Sequence, residues 1–390
     1  YYRRVMDAAG IRPEDVRTLA DLRSFPVLER SQLREAPEEL LSSDGRTRRL
    51  RWQRTNGTTG TPVRYARCED SRAWAWASIY RFYRWMGVRP GDPRLVLWGE
   101  RDFVAPATAM RRLSRRMWRE TRLVAYQTSD ADIDAQARAA ARTRVVLLRG
   151  YASAVYRFAE RAGALGIRIP TLRAVTTTAD ALLPAMRRTI EDALGVPVFD
   201  QYACGEVIGG AYECEARRGL HVVEEHNVIE VDAPGGEEGD ILMTDLDNFA
   251  MPLIRYRNGD QGAFETTPCA CGRASRRLQT PIGRAAEIVI LPDTQRLNRT
   301  FFKRFFNQFQ EVRTYQIAQT GAERYEIRIE EGEARDRAEL EQGLRGHFGT
   351  AVELRFRYGP IAPLPGGKVP IIVKADGAGE PGRSGTRTPS

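Results

Sequence analysis

Thr55-Asn56-Gly57-Thr58-Thr59-Gly60-Thr61-Pro62 is a run of hydroxyls and glycines with no large apolar side chain in it. Trp52 before it and Val63-Arg64-Tyr65 after it have strand character, so the run reads as a tight loop between two strands. Glycines there let backbone N–H groups come close to an anion, and threonine hydroxyls add short donors. That chemistry suits a polyphosphate. A Walker loop is excluded, because no Lys-Ser/Thr pair follows the last glycine. An ordinary Gly/Thr hairpin turn uses the same residue types, and the run alone does not separate the two readings.

Working outward, residues 1–50 alternate short helical pieces with Pro, Asp and Glu breaks, and residues 70–86 carry Trp74, Trp76, Tyr80, Phe82, Tyr83 and Trp85 at helical spacing. Core packing is the first reading of those rings, and an aromatic wall for an acyl pocket is the second. From about 92 to 200, apolar strands (Leu95–Trp98, Arg144–Leu148, Ala174–Thr176, Val196–Phe199) alternate with helical stretches. Alternation of this kind predicts an α/β fold, a large layered domain over 1–282. Beyond Gly283 the segments Val312–Ala318, Arg324–Ile329 and Val352–Tyr358 alternate apolar and polar residues, with a helical segment, Ala334–His347, before the last. They predict a small α+β domain over 288–374, joined by a hinge at 283–287. The Gly/Pro/Ser/Thr-rich tail, 375–390, is expected to be disordered.

At 390 residues and 42% hydrophobic content, with a mean hydropathy of −0.45, the chain has the composition of a soluble globular protein. No run of about 18 apolar residues and no signal-peptide pattern is present, so no membrane partner and a cytoplasmic location are expected. The net charge is +9, but only Lys303, Lys368 and Lys374 among 60 basic residues are lysines. An arginine bias that lopsided reads as a compositional habit rather than a phosphate-reading surface. The densest cluster (Arg111, Arg112, Arg115, Arg116, Arg119, Arg122) is expected on one solvated helix face. No nucleic-acid-binding signature accompanies it, and no nucleic-acid partner is expected. Docking of an anion such as coenzyme A is its second reading.

Four further segments carry chemistry. They are Tyr202-Ala203-Cys204-Gly205-Glu206, Ala250-Met251-Pro252-Leu253-Ile254-Arg255-Tyr256-Arg257-Asn258-Gly259-Asp260, Gly283-Arg284-Ala285-Ala286-Glu287, and Pro365-Gly366-Gly367-Lys368-Val369. With the Gly/Thr loop, and in this order, they resemble the ordered motifs of the adenylate-forming enzymes. The segment 250–260 is similar to the P-x-I-R-Y-R-x-x-D run of the phenylacetate–coenzyme A ligases and their capsule-biosynthesis relatives. The resemblance runs from Tyr1 to about Lys374.

It implies an AMP-forming acid–thiol ligase that uses ATP, Mg²⁺ and coenzyme A. Thr55, Gly57, Thr58, Thr59 and Gly60 would hold phosphates, Thr178 and Ala179 would lie beside the base, and Tyr202 would be the adenine platform. Glu206 would be the Mg²⁺ ligand, Asp260 would take both ribose hydroxyls, and Arg284 would reach ribose or phosphate. A carboxylate suits a vicinal diol because it accepts both O–H donors. Lys368 would bridge the acyl carboxylate and the α-phosphate, a place for a compact ammonium. Ala203, Gly205 and Glu287 depart from the pattern. The substrate implied is a carboxylic acid, with a weak lean toward an aryl acid. Transfer to an amine or a carrier-protein thiol is the first rival, and a non-catalytic nucleic-acid-binding or scaffold protein on the same fold is the second. A homodimer is one of the assemblies the sequence allows.

Five cysteines do not form a secreted disulfide framework. Cys214 and His221 are spaced Cys-x₆-His, and Cys269-Ala270-Cys271-Gly272 is a compact ligand turn. Three thiolates and one imidazole make a tetrahedral set for structural Zn²⁺, preferred here over free thiols. Cys204 and His226 are alternative ligands, and Cys68 reads as a buried thiol.

Overall fold

The computed structural model describes residues 1–43, 49–55, 63–98, 117–124, 129–179, 182–234, 238–280, 283–284, 288–292, 296–306, 308–309, 311–331, 337–362, 369 and 371–374. The chain divides into two compact units, the first Tyr1–Ala286 and the second beginning at Glu287.

Among the described residues, the first unit is built on an eight-stranded sheet. Its order is Arg277–Leu278, Leu220–Val222, Ala211–Glu213, Val198–Tyr202, Ala174–Thr178, Leu147–Tyr151, Arg94–Trp98 and Glu120–Val124. The last five strands are parallel and the first three antiparallel, so the sheet changes character beside Val198–Tyr202. The parallel strands are apolar runs buried along most of their length, as crossover helices on their faces require. Helices Ala152–Ala164 and Pro184–Leu194 make such crossovers. Asp130–Arg142 precedes Leu147–Tyr151 and starts where the Ser129 hydroxyl accepts the Asp132 N–H. Helix Glu69–Trp85 lays Phe82 and Tyr83 against Leu147, Ala174, Phe199 and Tyr212. Phe82 is fully buried and stacks on Tyr212 at 4.6 Å between ring centres. Truncating such a ring to alanine costs about 3–5 kcal/mol. Trp74 and Trp76 of the same helix stay 52% and 39% exposed, so only part of the aromatic set is core.

A second sheet is antiparallel, in the order Asn227–Asp232, Gly239–Asp245, Tyr256–Gly262 and Gly283–Arg284. The N-terminal segment docks on it: Leu28 N–H donates to the Arg255 carbonyl at 3.1 Å, and Arg257 N–H to the Leu28 carbonyl at 3.0 Å. This places the start of helix Arg30–Glu35 over Tyr256. Strands Arg51–Arg54 and Arg64–Arg67 form the hairpin that flanks the Gly/Thr run.

In the second unit, Val312–Gly321 pairs antiparallel with Arg324–Glu331, while Glu353–Tyr358 and Ile372–Lys374 add in parallel on either side. Helix Arg337–Phe348 buries Leu340, Leu344 and Phe348.

The arginine cluster departs from expectation. Arg122 lies in strand Glu120–Val124 and Arg119 in a turn at φ 48°; the other four lie outside the described residues. The β-branched and apolar residues of Thr121, Leu123 and Val124 carry a strand into the sheet edge beside Arg94–Trp98, and tertiary pairing overrides the arginines' helix preference. Among the described residues, no helix is long and apolar enough to cross a membrane.

Candidate active site

Tyr202 ends the strand Val198–Tyr202, at the C-terminal edge of the parallel strands, where open α/β sheets bind ligands. The chain returns through Gly210, at φ 110°. A Cβ there would sit 2.2 Å from the Tyr202 carbonyl oxygen, so only glycine lets the return strand come this close. The Tyr202 hydroxyl donates to Asp260 Oδ2 at 2.9 Å and accepts from Asn258 Nδ2 at 2.6 Å. Asn258 Oδ1 in turn accepts the Asp260 N–H at 2.9 Å. Gly259, at φ 86°, bends the strand between them, within a stretch where the pairing to Gly239–Asp245 shifts register. Burial, then the Asp260 charge, pushes the Tyr202 phenol well above its ordinary 10, which keeps it a donor at neutral pH.

Glu206 is 3% exposed, four residues on. Its Oε1 accepts from Arg30 Nη1 at 2.9 Å and from the Tyr256 hydroxyl at 3.1 Å, and its Oε2 from the Cys204 thiol at 3.1 Å. Burial, then Glu206, raises the Cys204 thiol well above 9, so the sulfur stays protonated as a donor. Arg30 Nη2 also reaches Thr55 Oγ1 at 3.4 Å, and that oxygen accepts the Val63 N–H at 3.0 Å, bracing both ends of the Gly/Thr run. Arg67 donates to the carbonyls of Gly205 (2.6 Å) and Val207 (3.3 Å), tying the same hairpin to the Glu206 turn.

The structure thus brings Tyr202 and Asp260 into one network and Thr55 and Glu206 into another, with Glu206 four residues along the chain from Tyr202. Thr178 ends the neighbouring parallel strand and Ala179 follows it at φ 68°. Arg284 stands opposite Asp260 in the antiparallel register. Gly57, Thr58, Thr59, Gly60 and Lys368 lie outside the described residues, as does Glu287. Arg30, Tyr256, Asn258 and Arg67 escape a sequence reading that names single residues in motifs. Tyr256 and Asn258 had a signal, since both lie inside the segment 250–260. Arg30 had none.

The ligand atoms of Cys214, His221, Cys269 and Cys271 all lie within 4.8 Å of one another. Cys214 and Cys269 sulfurs are 3.6 Å apart, Cys271 Sγ is 3.3 Å from His221 Nε2, and His221 Nδ1 bonds the Ser275 hydroxyl at 3.0 Å. The Ser275 bond leaves Nε2 to face the sulfurs. Neither alternative ligand joins them: Cys204 is committed to Glu206, and His226 Nδ1 to Asp247 Oδ2 at 2.6 Å. Cys68 is buried.

No family model matches the chain. The phenylacetate–coenzyme A ligase of Aromatoleum evansii is 29% identical over 314 residues, 75% of this chain and 67% of that protein. That of Escherichia coli strain K12 is 29% identical over 304 residues, 74% of this chain and 68% of that protein. Among solved structures, 2-hydroxyisobutyryl-CoA ligase, in the postadenylation state with R3-HIB-AMP, superposes with a TM-score of 0.75 at 19% identity. The match covers 96% of this chain and 85% of that one. The chain is phenylacetate–coenzyme A ligase-like in sequence and has the fold of the adenylate-forming enzymes.

Proposed function

We propose that this protein is an ATP-dependent acid–thiol ligase, activating a carboxylic acid as its acyl-adenylate and passing the acyl group to coenzyme A. One observation carries the reading: Tyr202, Asn258 and Asp260 interlock at the C-terminal edge of the parallel strands, one short turn from the buried carboxylate of Glu206. A phenol held by its hydroxyl offers its ring face to a base, and the carboxylate holding it suits a ribose diol.

In the first half-reaction a carboxylate oxygen of the acid attacks the α-phosphorus of ATP and pyrophosphate leaves. Thr55 and the loop Gly57–Gly60 would hold the departing phosphates, and Lys368 would face the charge that develops between acid and α-phosphate. Thr178, Ala179 and Arg284 would border the nucleotide. In the second half, the thiolate of coenzyme A attacks the acyl carbon and AMP leaves. Reorientation of the small unit about 283–287 would let one site serve both steps.

Glu206 fits Mg²⁺: among the described residues its Oε2 accepts only from a thiol, a weak donor, so a coordination position is within reach. Magnesium would supply neutralisation of the triphosphate. Cys214, His221, Cys269 and Cys271 fit a closed, structural Zn²⁺ by donor type and mutual distance.

ATP–pyrophosphate exchange against a panel of aryl and aliphatic acids tests the reading, with Lys368→Ala alongside. Acid-dependent exchange that falls at least about 100-fold in the variant is expected for the loss of a transition-state charge partner. Exchange that ignores Lys368 would sink the assignment. Adenylate formation without coenzyme A turnover would move the acceptor to an amine or a carrier-protein thiol.

A further inference from the structure

The face of the parallel sheet covered by helix Glu69–Trp85 is expected to be apolar, and at Leu147, Ala174 and Phe199 it is. Nearer the C-terminal edge it is not. Arg122 and Arg149 stand there, both paired with Val96, while Arg94 begins the strand between them, level with Leu147 and Glu120. Among the described residues one carboxylate, Glu120, lies in this layer, and it already pairs with both Arg94 (3.5 Å) and Arg122. Arg149 makes no direct ion pair among the described residues, although the Glu120 charge reaches it. Its Nη1 donates to the Tyr83 hydroxyl at 3.2 Å, and its guanidinium lies 5.2 Å from the centre of the Trp98 ring. Its Nε is enclosed and has no hydrogen-bond partner among the described residues.

Thr176, the residue paired with Arg149 on the next strand, is 0% exposed, and its hydroxyl also has no partner among the described residues. Two orphaned polar groups side by side, one of them cationic, are costly unless something fills them. Both sit two residues below the strand ends, about 7 Å at 3.3 Å per residue. Tyr151, paired with Thr178, ends the Arg149 strand two residues above, and Trp98 ends the strand beside it, the two ring centres 4.7 Å apart.

We infer that Arg149 and Thr176 form the floor of the acyl pocket and select an acid carrying a second acceptor oxygen, carboxylate or carbonyl, about 7 Å from the reacting carboxylate. This rests on the ligase reading above, since that reading puts the acid at the strand ends. The aromatic pair holds the body of the acid, Thr176 donates its hydroxyl to the remote oxygen, and Arg149 donates Nε–H and neutralises the charge. The surplus of guanidinium over carboxylate then becomes substrate charge. An acid without that oxygen leaves both donors unpaired, and sites built to bond a polar group reject such analogues strongly.

The test is calorimetric binding of matched acids to the full chain, which needs no catalysis. The pairs are 4-carboxyphenylacetate against 4-isopropylphenylacetate, and heptanedioate against octanoate. The wild type is expected to bind the oxygenated member of at least one pair about 100-fold more tightly. Arg149→Met should cut that preference below about 3-fold without weakening the apolar member, Arg149→Lys should keep part of it, and Thr176→Val should lower it about 10-fold. If Arg149→Met does not fold, the lysine and valine variants carry the comparison. Preference for the apolar acids in the wild type overturns the inference, as does a preference that survives Arg149→Met. Weaker coenzyme A binding in Arg149→Met with acid selectivity intact also overturns it, by giving the charge to the acceptor. Arginine-dependent selectivity in a protein that never exchanges pyrophosphate leaves the pocket standing and removes the ligase reading.

Discussion

Replacing Arg30 by methionine isolates the contact that ties Glu206 to Thr55 and Tyr256. Arg30 is 26% accessible at its side chain and Glu206 4%, and they meet at 2.9 Å. Removing one member of a fully buried pair costs about 3–5 kcal/mol, because the other charge is left without compensation. Here the Tyr256 hydroxyl and the Cys204 thiol remain on Glu206, and the opening at Arg30 admits water, so about 2–3 kcal/mol is expected. All six tryptophans precede residue 119, so tryptophan fluorescence follows the first unit alone. At roughly 2–4 °C per kcal/mol, its melting midpoint should fall by about 5–10 °C. Arg30 also touches Thr55, and the single variant mixes that loss with the ion pair. A double-mutant cycle with Glu206→Gln separates them, and a coupling energy of about 1–2 kcal/mol is expected. Arg30 and a divalent cation would also compete for the same carboxylate, so in Arg30→Met the Mg²⁺ concentration giving half-maximal pyrophosphate exchange should drop several-fold. Coupling below about 0.5 kcal/mol together with an unchanged Mg²⁺ requirement would refute the reasoning.

Asp200 is 8% exposed, and burial, then Glu213, raises its carboxyl from 3.8 to about 7. The folded state therefore binds the extra proton: this group's contribution is present at acid pH and is lost as pH rises from about 4 through about 7, up to about 4 kcal/mol. Asp200→Asn should flatten the slope of chemical-denaturation stability over that range and gain stability at pH 8; a slope unchanged in the variant would contradict this. Asn258→Ala removes the donor that holds the Tyr202 hydroxyl and the acceptor that holds the Asp260 N–H, so the KM for ATP should rise about 10-fold with a much smaller change in kcat, measured by exchange at saturating acid. One zinc per chain is expected by elemental analysis, falling below about 0.2 in Cys271→Ser, with a lower fluorescence melting midpoint after chelation; a metal-free protein of equal stability would remove the zinc assignment.

Local pattern carried the parts of the fold whose signals are local. The apolar runs at Leu95–Trp98 and Ala174–Thr176 had to be buried strands, and Trp52 and Val63-Arg64-Tyr65 do lie in or beside two paired strands. The proline in Val196-Pro197 moves the start of the next strand on to Val198, where the ladder no longer needs the missing N–H. Arg119 and Arg122 misled because composition and helix preference are weak against sheet pairing with Arg94–Trp98. Arg30 was invisible for a different reason. It meets Glu206 from 176 residues away, and its place is set by the main-chain pairing of Leu28 with Arg255 and Arg257, which leaves no mark on the side chains nearby. The orphaned Arg149 and Thr176 are likewise legible only once strand register pairs them.

The cysteine cluster also fixes the chain's topology. Cys214 and Cys269 are 55 residues apart, and between them runs an excursion that leaves the large sheet, forms Asn227–Asp232, Gly239–Asp245 and Tyr256–Gly262, and comes back. Asn258 and Asp260 ride on that excursion, whereas Tyr202 and Glu206 stand outside it. A metal across the four ligands would close the neck of the lasso. Closing a loop of this length removes about 4 kcal/mol of freedom from the open chain. With the neck shut, the excursion would gain less freedom by leaving Tyr202, so detachment would be less favourable. With it open, the segment carrying Asn258 and Asp260 could fray while the large sheet stays folded. Metal supply in the growth medium would then set how much of a preparation can hold a ribose, at a distance and without touching it.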